Sequence, residues 1–174
     1  MTKQALIVID IQNDYFEDGK YPLYQPVEAT QRTLEAMAIA REKNIPIIHI
    51  QHLVSPELGE GLFFYDGSEG AKIHKDVMAA APDAPVVTKR HADCFENTNL
   101  EALLQSMGIE EVLITGMMTH NCVNHTALSP AATKYNPKVI EECCCTVDPI
   151  AHALAVDSMQ VRGIEMLTIE KAFA

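Results

Sequence analysis

The 174-residue sequence is poor in several features whose presence would indicate a particular class of protein. It has no tryptophan, only 6% aromatic residues, and 13 lysines and arginines against 24 acidic residues, which gives a formal net charge of -11. A broadly negative surface repels phosphate backbones and anionic headgroups, so we expect no nucleic-acid partner and no membrane partner. Small molecules and proteins remain as partner classes, and we expect a small-molecule substrate.

The sequence also lacks a long apolar run, a leader pattern and paired cysteines. No stretch approaches the roughly 18 apolar residues that cross a bilayer. The first residues pass directly into a short strand-like run without a small-residue cleavage site. Five cysteines, three of them adjacent at 143–145, are poor material for a disulfide framework. We therefore expect a protein of the reducing cytoplasm.

Apolar runs alternate with helix-like patterns along the whole chain. With 48% hydrophobic residues, residues 1–174 can fill one core and form a single domain. Residues 5–9 are continuously apolar, as in a strand buried on both faces, and similar runs lie at 45–50, 85–88, 112–115, 138–142 and 164–167. The pattern predicts an α/β fold, a three-layer α/β/α sandwich around a six-stranded, mainly parallel sheet.

Two segments between the predicted strands have distinct patterns. Residues 51–81 show little periodicity and several glycines, which predicts a long loop that could cover a site. Residues 121–135 have a helical pattern interrupted by Pro130, and proline in a helix interior costs about 3 kcal/mol. We therefore expect that helix to kink or end near Leu128.

Residues able to do chemistry follow three of the predicted strands. Asp10 follows the first strand, Lys89 the third, and a glycine-containing turn leads from the fourth to Cys122. Ligands in open parallel sheets bind beyond the carboxyl ends of the strands, where these three segments fall. A thiol with an ordinary pKa of about 8.5 needs a base or a nearby cation to react at neutral pH. Asp10 and Lys89 can supply these, and a helix opening at Cys122 would further favour the thiolate.

Three motifs in the same order along the chain resemble those of the isochorismatase-like cysteine hydrolase superfamily. They are residues 10–14 (Asp-Ile-Gln-Asn-Asp), Lys89 with the Cys-Phe and Thr-Asn-Leu strings that follow it, and residues 116–127 (Gly-Met-Met-Thr-His-Asn-Cys-Val-Asn-His-Thr-Ala). The resemblance implies Cys122 as nucleophile, Asp10 as general base and Lys89 as their positive partner. It further implies a homo-oligomer, either a dimer or a tetramer.

The resemblance also implies features of the turn before the nucleophile. The Met118–Thr119 peptide is expected to be cis, and the backbone N–H groups near Thr119 and Cys122 are expected to form an oxyanion hole. At the following helix, Cys122 has His120 and His125 close in sequence, so a Cys–His dyad is an alternative way to activate the thiol. The adjacent cysteines Cys143, Cys144 and Cys145 are interpreted as buried packing at a strand end.

A substrate pocket is expected beside the predicted catalytic residues, without a cofactor and without a metal. Its candidate lining residues are Gln12, Phe16, His52, Phe63, Phe64 and Tyr65. Related nicotinamidases hold a metal with an Asp-x-His element and a further histidine, whereas residues 49–52 read His-Ile-Gln-His. His49 and His52 would lie on opposite sides of an extended strand, which disfavours a shared ion.

Three functions are consistent with these residues. The leading hypothesis is a cysteine-dependent amidohydrolase that attacks an amide or ureido carbon and passes through a thioester. The second is cleavage of a vinyl ether such as isochorismate, which depends on general acid catalysis and needs no thiol. The third is a non-catalytic binding protein that keeps the fold.

Overall fold

The computed structural model describes residues 2–55, 57 and 61–174, and in this part of the chain six strands form one sheet. Pro56 and residues 58–60, which belong to the predicted loop, lie outside the described residues. The strands are β1 (Gln4–Ile9), β2 (Ile47–His52), β3 (Val86–Lys89), β4 (Glu111–Met117), β5 (Lys138–Cys145) and β6 (Glu165–Leu167). The sheet order is β3-β2-β1-β4-β5-β6, and every strand pairing is parallel.

In the part of the chain that the structure describes, six α-helices connect or follow the strands. They are α1 (Pro26–Glu42), α2 (Lys75–Ala80), α3 (Leu100–Met107), α4 (Asn124–Ala127), α5 (Pro149–Val161) and α6 (Ile169–Ala172). Within the described ranges, no helix has the length and apolar character needed to span a membrane.

The two faces of the sheet are each covered by helices. Along β1, Leu6 and Val8 face a core that includes residues of α1, α2 and α6, whereas Ile7 and Ile9 face a core that includes residues of α3, α4 and α5. Strands buried on both sides explain the continuous apolar runs in the sequence. The predicted three-layer sandwich is confirmed.

Two predicted segments differ in the structure. The loop predicted over 51–81 begins after β2, which continues to His52, and it contains the helix α2. The helix predicted over 121–135 is divided into a π-helical turn (Thr119–Val123), the short α4 and a 3-10 turn (Ala132–Tyr135). α4 ends with Leu128 as its C-cap, where Pro130 was expected to stop it.

Candidate active site

The strand order brings the predicted catalytic residues to one edge of the sheet. β3, β2, β1 and β4 are neighbours in that order, and their carboxyl ends carry Lys89, His52, Asp10 and the turn to Cys122. His52 pairs in register with Lys89, and the residue before Asp10 pairs with Gly116. Four side chains from four consecutive strands therefore meet at this edge.

The backbone between β1 and β4 is unusually close at this point. Gly116 has a φ of +117°, and a Cβ atom added there would lie 2.0 Å from the carbonyl oxygen of Ile9. Only glycine permits this approach. Asp10 itself has a φ of 51°, a left-handed conformation that non-glycine residues seldom adopt. Such backbone conformations are concentrated at functional sites in proteins.

The cis peptide lies one bond earlier than predicted. It joins Met117 to Met118, the first bond after β4, rather than Met118 to Thr119. β4 extends to Met117, so the turn toward the nucleophile begins at that bond. Met118 O then accepts bonds from Asn121 N at 3.0 Å and from Val123 N at 3.2 Å. Those two amides are already bonded, and the amides of Thr119 and Cys122 remain the predicted oxyanion donors.

Lys89 is the centre of the cluster. Its Nζ lies 2.9 Å from Asp10 Oδ2, 3.1 Å from Cys122 Sγ and 3.1 Å from His52 Nδ1. The carbonyl oxygens of His91 and Ala92 lie at 3.0 and 3.4 Å. The side chains of Lys89 and Asp10 are wholly buried and Cys122 is 0% exposed. The predicted gathering of an acid, an ammonium group and a thiol in one place is thus observed.

The Asp10 carboxylate is held as an anion mainly by charge. Burial alone would raise its pKa, but Lys89 and then His52 more than offset this, and the pKa lies below its ordinary value. Neither carboxylate oxygen has a hydrogen bond of good geometry within the described residues, although Oδ2 forms the close ion pair with Lys89. An anionic carboxylate with free acceptor positions beside a thiol is suited to take up a proton.

The Cys122 thiol is protonated in the resting site. Burial first and the negative charge of Asp10 second raise its pKa well above the ordinary value, and Lys89 offsets only part of this. Desolvation is the largest of these effects and sets the direction. From the sequence, we expected the helix N-terminus to favour the thiolate. Here Cys122 lies inside the π-helical turn and only the four-residue α4 follows, and the net effect is in the other direction.

His52 contacts the cluster itself rather than only lining a pocket. Its Nδ1 lies 3.8 Å from Asp10 Oδ2 and 3.8 Å from Cys122 Sγ, in addition to the contact with Lys89. Gln12, another predicted pocket residue, fixes the position of His52. The Gln12 Nε2 donates to His52 O at 2.8 Å, and His52 N donates to Gln12 Oε1 at 2.8 Å. Gln12 is therefore a fully buried bridge between two strand ends.

The predicted aromatic pocket residues pack mostly against other loop residues. Phe64 is fully buried, with its ring centroid 4.6 Å from that of Tyr15 and 6.1 Å from that of His52. Phe63 stacks on Tyr21 at 4.7 Å. Of the remaining two, Phe16 packs on His74, and the ring of Tyr65 lies under the ammonium group of Lys20. Phe64 is thus the predicted aromatic residue in ring contact with the cluster.

The donor atoms of Asp10, His52 and Cys122 lie within 4.8 Å of one another, a spacing that a metal ion could bridge. Lys89 Nζ already occupies the space between them, at 2.9–3.1 Å. These distances fit N–H bonds and exceed the roughly 2.0–2.3 Å of metal–ligand bonds. Burial would lower the pKa of Lys89, but the negative charge of Asp10 outweighs it and the pKa is raised, so the ammonium group resists displacement. His49 is separate, and its Nε2 bonds Ala81 O at 3.0 Å.

In the alternative Cys–His dyad, His120 or His125 would bond the nucleophile, but neither is hydrogen-bonded to Cys122. His120 Nδ1 bonds the hydroxyl of Thr146, and His125 Nδ1 lies 2.8 Å from Asn121 O. The histidine in contact with Cys122 is His52, which comes from a distant part of the chain.

The three adjacent cysteines pack as interpreted from the sequence. All are buried free thiols in β5, and burial raises the pKa of Cys143 and Cys145 to about 12. A cavity of about 960 Å³ lies at the opposite edge of the sheet, where it is lined by residues such as Lys43, Glu111 and Lys138. The predicted chemistry is therefore remote from this cavity.

Comparison with known proteins assigns the family. The Isochorismatase domain model matches residues 4–171. An uncharacterised isochorismatase family protein of Bacillus subtilis, YddQ, is 36% identical over 142 residues, covering 82% of this chain and 77% of that protein. The maleamate amidohydrolase of Pseudomonas putida is 28% identical over 81% of this chain and 71% of its own. A protein of Arabidopsis thaliana named a probable inactive nicotinamidase is 26% identical over 96% of this chain and 93% of its own.

The same fold is found in solved structures. An isochorismatase hydrolase from Oleispira antarctica superposes with a TM-score of 0.87 at 28% identity, covering 99% of this chain and 96% of that one. The chain described here therefore belongs to the isochorismatase family.

Proposed function

We propose that the protein is a cysteine-dependent hydrolase that cleaves a small amide or ureido substrate through a thioester on Cys122. The observation that carries the proposal is the contact of one buried ammonium group, Lys89, with both a carboxylate and a thiol, at 2.9 and 3.1 Å. The amide chemistry is supported by the name of the maleamate amidohydrolase among the relatives. We also propose that the protein acts as a single domain in the cytoplasm and assembles into a homo-oligomer.

The first half of the reaction uses the charges described above. Asp10 takes the proton of the Cys122 thiol as the sulfur forms a bond to the carbonyl carbon, and the carbonyl oxygen becomes an oxyanion. The N–H groups of Thr119 and Cys122 hold this oxyanion. When the C–N bond breaks, the proton returns to the leaving nitrogen, which departs as ammonia or an amine. Lys89 stabilises the Asp10 carboxylate before this proton transfer and the sulfur as it gains negative charge during it.

The second half returns the enzyme to its starting state. Water attacks the thioester, Asp10 takes one of its protons, and the C–S bond breaks. The thiolate then regains that proton from Asp10. Each group ends with the proton it held at the beginning, and the net reaction is hydrolysis.

The first experiment is a substrate panel with wild type and Cys122→Ala. Ammonia release is measured with nicotinamide, maleamate and N-carbamoyl compounds, and isochorismate cleavage is followed in parallel. We expect at least one amide or ureido compound to be cleaved by wild type, and we expect Cys122→Ala to be inactive on it. Isochorismate cleavage that survives Cys122→Ala would favour the vinyl-ether reaction. Inertness toward every compound would favour the non-catalytic alternative.

A second experiment separates the role of Asp10 as a general base from its electrostatic effect on the pKa of Cys122. The rate of Cys122 alkylation by iodoacetamide reports the thiolate fraction, and it can be followed by mass spectrometry from about pH 6 to about pH 9. Wild type should react slowly near neutral pH, because the pKa of the thiol is raised. Asp10→Asn removes a charge that raises this pKa, so alkylation should become faster, whereas Lys89→Met should make it slower.

The same Asp10→Asn variant should lose turnover by about 10²–10⁴-fold, because the proton acceptor is gone. Faster alkylation with slower turnover is the expected signature of a general base. An Asp10→Asn enzyme that keeps wild-type turnover on the panel substrate would show that Asp10 is not the base. Slow alkylation of the wild-type thiol alone carries no weight against catalysis, since the resting sulfur is buried and protonated.

A further inference from the structure

We propose that His52 is a further catalytic residue, the end of a proton relay that runs from Asp10 through Lys89 to the atom that leaves the substrate. The inference rests on the thioester chemistry proposed above and specifies how the proton of the Cys122 thiol reaches the leaving group. The three relay groups stand in consecutive contact. Asp10 Oδ2 lies 2.9 Å from Lys89 Nζ, which lies 3.1 Å from His52 Nδ1.

The contact with Lys89 fixes the tautomer of His52. An ammonium group can only donate, so Nδ1 accepts and carries no proton. The ring proton of the neutral imidazole is therefore on Nε2. Within the described residues, Nε2 has no hydrogen-bond partner, so its N–H can donate to a bound molecule.

His52 also stands on the accessible side of the cluster. Its side chain is 17% exposed, whereas the side chains of Asp10 and Lys89 are 0% exposed. All of its contacts with the cluster are made through Nδ1, which leaves Nε2, the second ring nitrogen, for a bound molecule.

Hydrogen bonds from the Gln12 side chain fix the backbone of His52. Gln12 pairs with both its N–H and its carbonyl oxygen, and the same Gln12 Nε2 lies 2.8 Å from Ala71 O. A fully buried side chain thus holds the imidazole against Lys89. Fixed geometry of this kind is what proton transfer in a transition state needs.

The relay balances without any added reactant. Asp10 gains the Cys122 proton as the S–C bond forms. As the bond to the leaving group breaks, the Nε2–H of His52 is donated to the leaving atom, Lys89 gives a proton to Nδ1, and Asp10 returns its proton to Lys89. The net result is the transfer of one proton from the thiol to the leaving group. His52 ends as the other tautomer, in which Nδ1 no longer accepts from Lys89, and the ammonium group keeps Asp10 and the carbonyl oxygens of His91 and Ala92 as acceptors. The reverse sequence of transfers accompanies water attack and restores the starting tautomer.

The test is a leaving-group series with wild type and His52→Asn. Asparagine can present an oxygen near the position of Nδ1, so it keeps an acceptor for Lys89 but has no second ring nitrogen. The probes are p-nitrophenyl acetate, whose leaving group departs without a proton, and phenyl acetate, whose more basic leaving group needs one. Acetylation of Cys122 is followed by phenol release and by intact mass.

His52→Asn should slow the p-nitrophenyl ester by less than about threefold and the phenyl ester by roughly 10²-fold. His125→Asn is the matched control, because the hydrogen bond of His125 within the described ranges is to its own helix turn, and the variant should leave both rates unchanged. If His52→Asn does not fold, as judged by its melting temperature, His52→Gln is used for the same series.

Two results would overturn the relay. One is an equal loss with both esters, which would mean that His52 only positions its neighbours, and the other is no loss with either. In both cases Cys122 would still become acetylated, so the proposed hydrolase function would stand. If neither ester acetylates Cys122 of the wild-type protein, the proposed thioester chemistry is refuted, and the relay with it.

Discussion

Lys89→Met tests whether the buried ion pair stabilises the fold as well as the site. The variant removes the one cation within hydrogen-bond reach of the Asp10 carboxylate, which is wholly buried and has no well-aligned hydrogen bond within the described residues. Breaking a buried pair by removing one partner costs about 3–5 kcal/mol. For a domain of this size that corresponds to a fall in melting temperature of roughly 6–20 °C.

The pH dependence of this loss has a definite sign. In wild type, the lowered pKa of Asp10 gives stability that is present above its ordinary value of 3.8 and is lost as the pH falls through the lower folded value. The raised pKa of Lys89 gives stability that is present below 10.5 and is lost as the pH rises through the folded value. The wild-type pair therefore contributes across the neutral range.

In Lys89→Met the burial of Asp10 remains but its main counter-charge is gone, so its folded pKa should rise above the ordinary value. The destabilisation should then be larger at about pH 7.5 than at about pH 5, where Asp10 can take up a proton.

Urea unfolding at the two pH values measures these differences. Asp10→Asn should cost less, about 1–3 kcal/mol, because Lys89 keeps acceptors in His52 Nδ1 and in the carbonyl oxygens of His91 and Ala92. The double variant should recover much of the loss, since neither charge is then left alone. Simple additivity of the two single losses, or a Lys89→Met protein as stable as wild type at about pH 7.5, would refute the reasoning.

Two further substitutions test the backbone that supports the site. Gly116→Ala should lower the free energy of unfolding by more than about 4 kcal/mol or prevent folding, because its Cβ would lie 2.0 Å from a β1 carbonyl oxygen. Gly163→Ala is the control, since Gly163 also has a positive φ but lies in open space, and thermal unfolding should show a loss of about 1–2 kcal/mol. Gln12→Ala should lower the free energy of unfolding by about 2–4 kcal/mol, because two backbone groups of His52 lose their partners. Gln51→Ala is its control and should lower that free energy by less than about 1.5 kcal/mol, because it loses one part-buried hydrogen bond. Equal losses within either pair would contradict these assignments.

The sequence predicted the sheet well because buried parallel strands have a clear signature. The run at residues 5–9 and the strand β1 agree to within a residue. β2 runs further than predicted, to His52, because its pairing with β3 continues past the apolar residues. β5 also runs further, through the three buried cysteines to Cys145, which pairs with Met117 of β4. Backbone hydrogen bonds extend a strand regardless of its side chains, so the polar end of β2 has no signal in hydropathy.

The segment around the nucleophile was predicted less well for a related reason. Helical periodicity over 121–135 suggested one helix, and the position of Pro130 correctly indicated its interruption. The π-helical turn depends on Val123 N bonding Met118 O, five residues back. One residue more or less per turn hardly changes the apolar pattern, so periodicity does not distinguish a π-helical turn from an α-helical one.

The place of His52 follows from the strand order, which the sequence alone did not give. Lys89 and Asp10 belong to β3 and β1, which are not neighbours, and β2 lies between them. Their side chains can form a 2.9 Å ion pair only across the end of β2, so the last residue of β2 must lie beside that pair. An apolar residue there would leave Lys89 without one of its acceptors. The requirement for a polar residue at position 52 therefore comes from the topology, and the choice of an imidazole, which can both accept and donate, is what makes that position chemically useful.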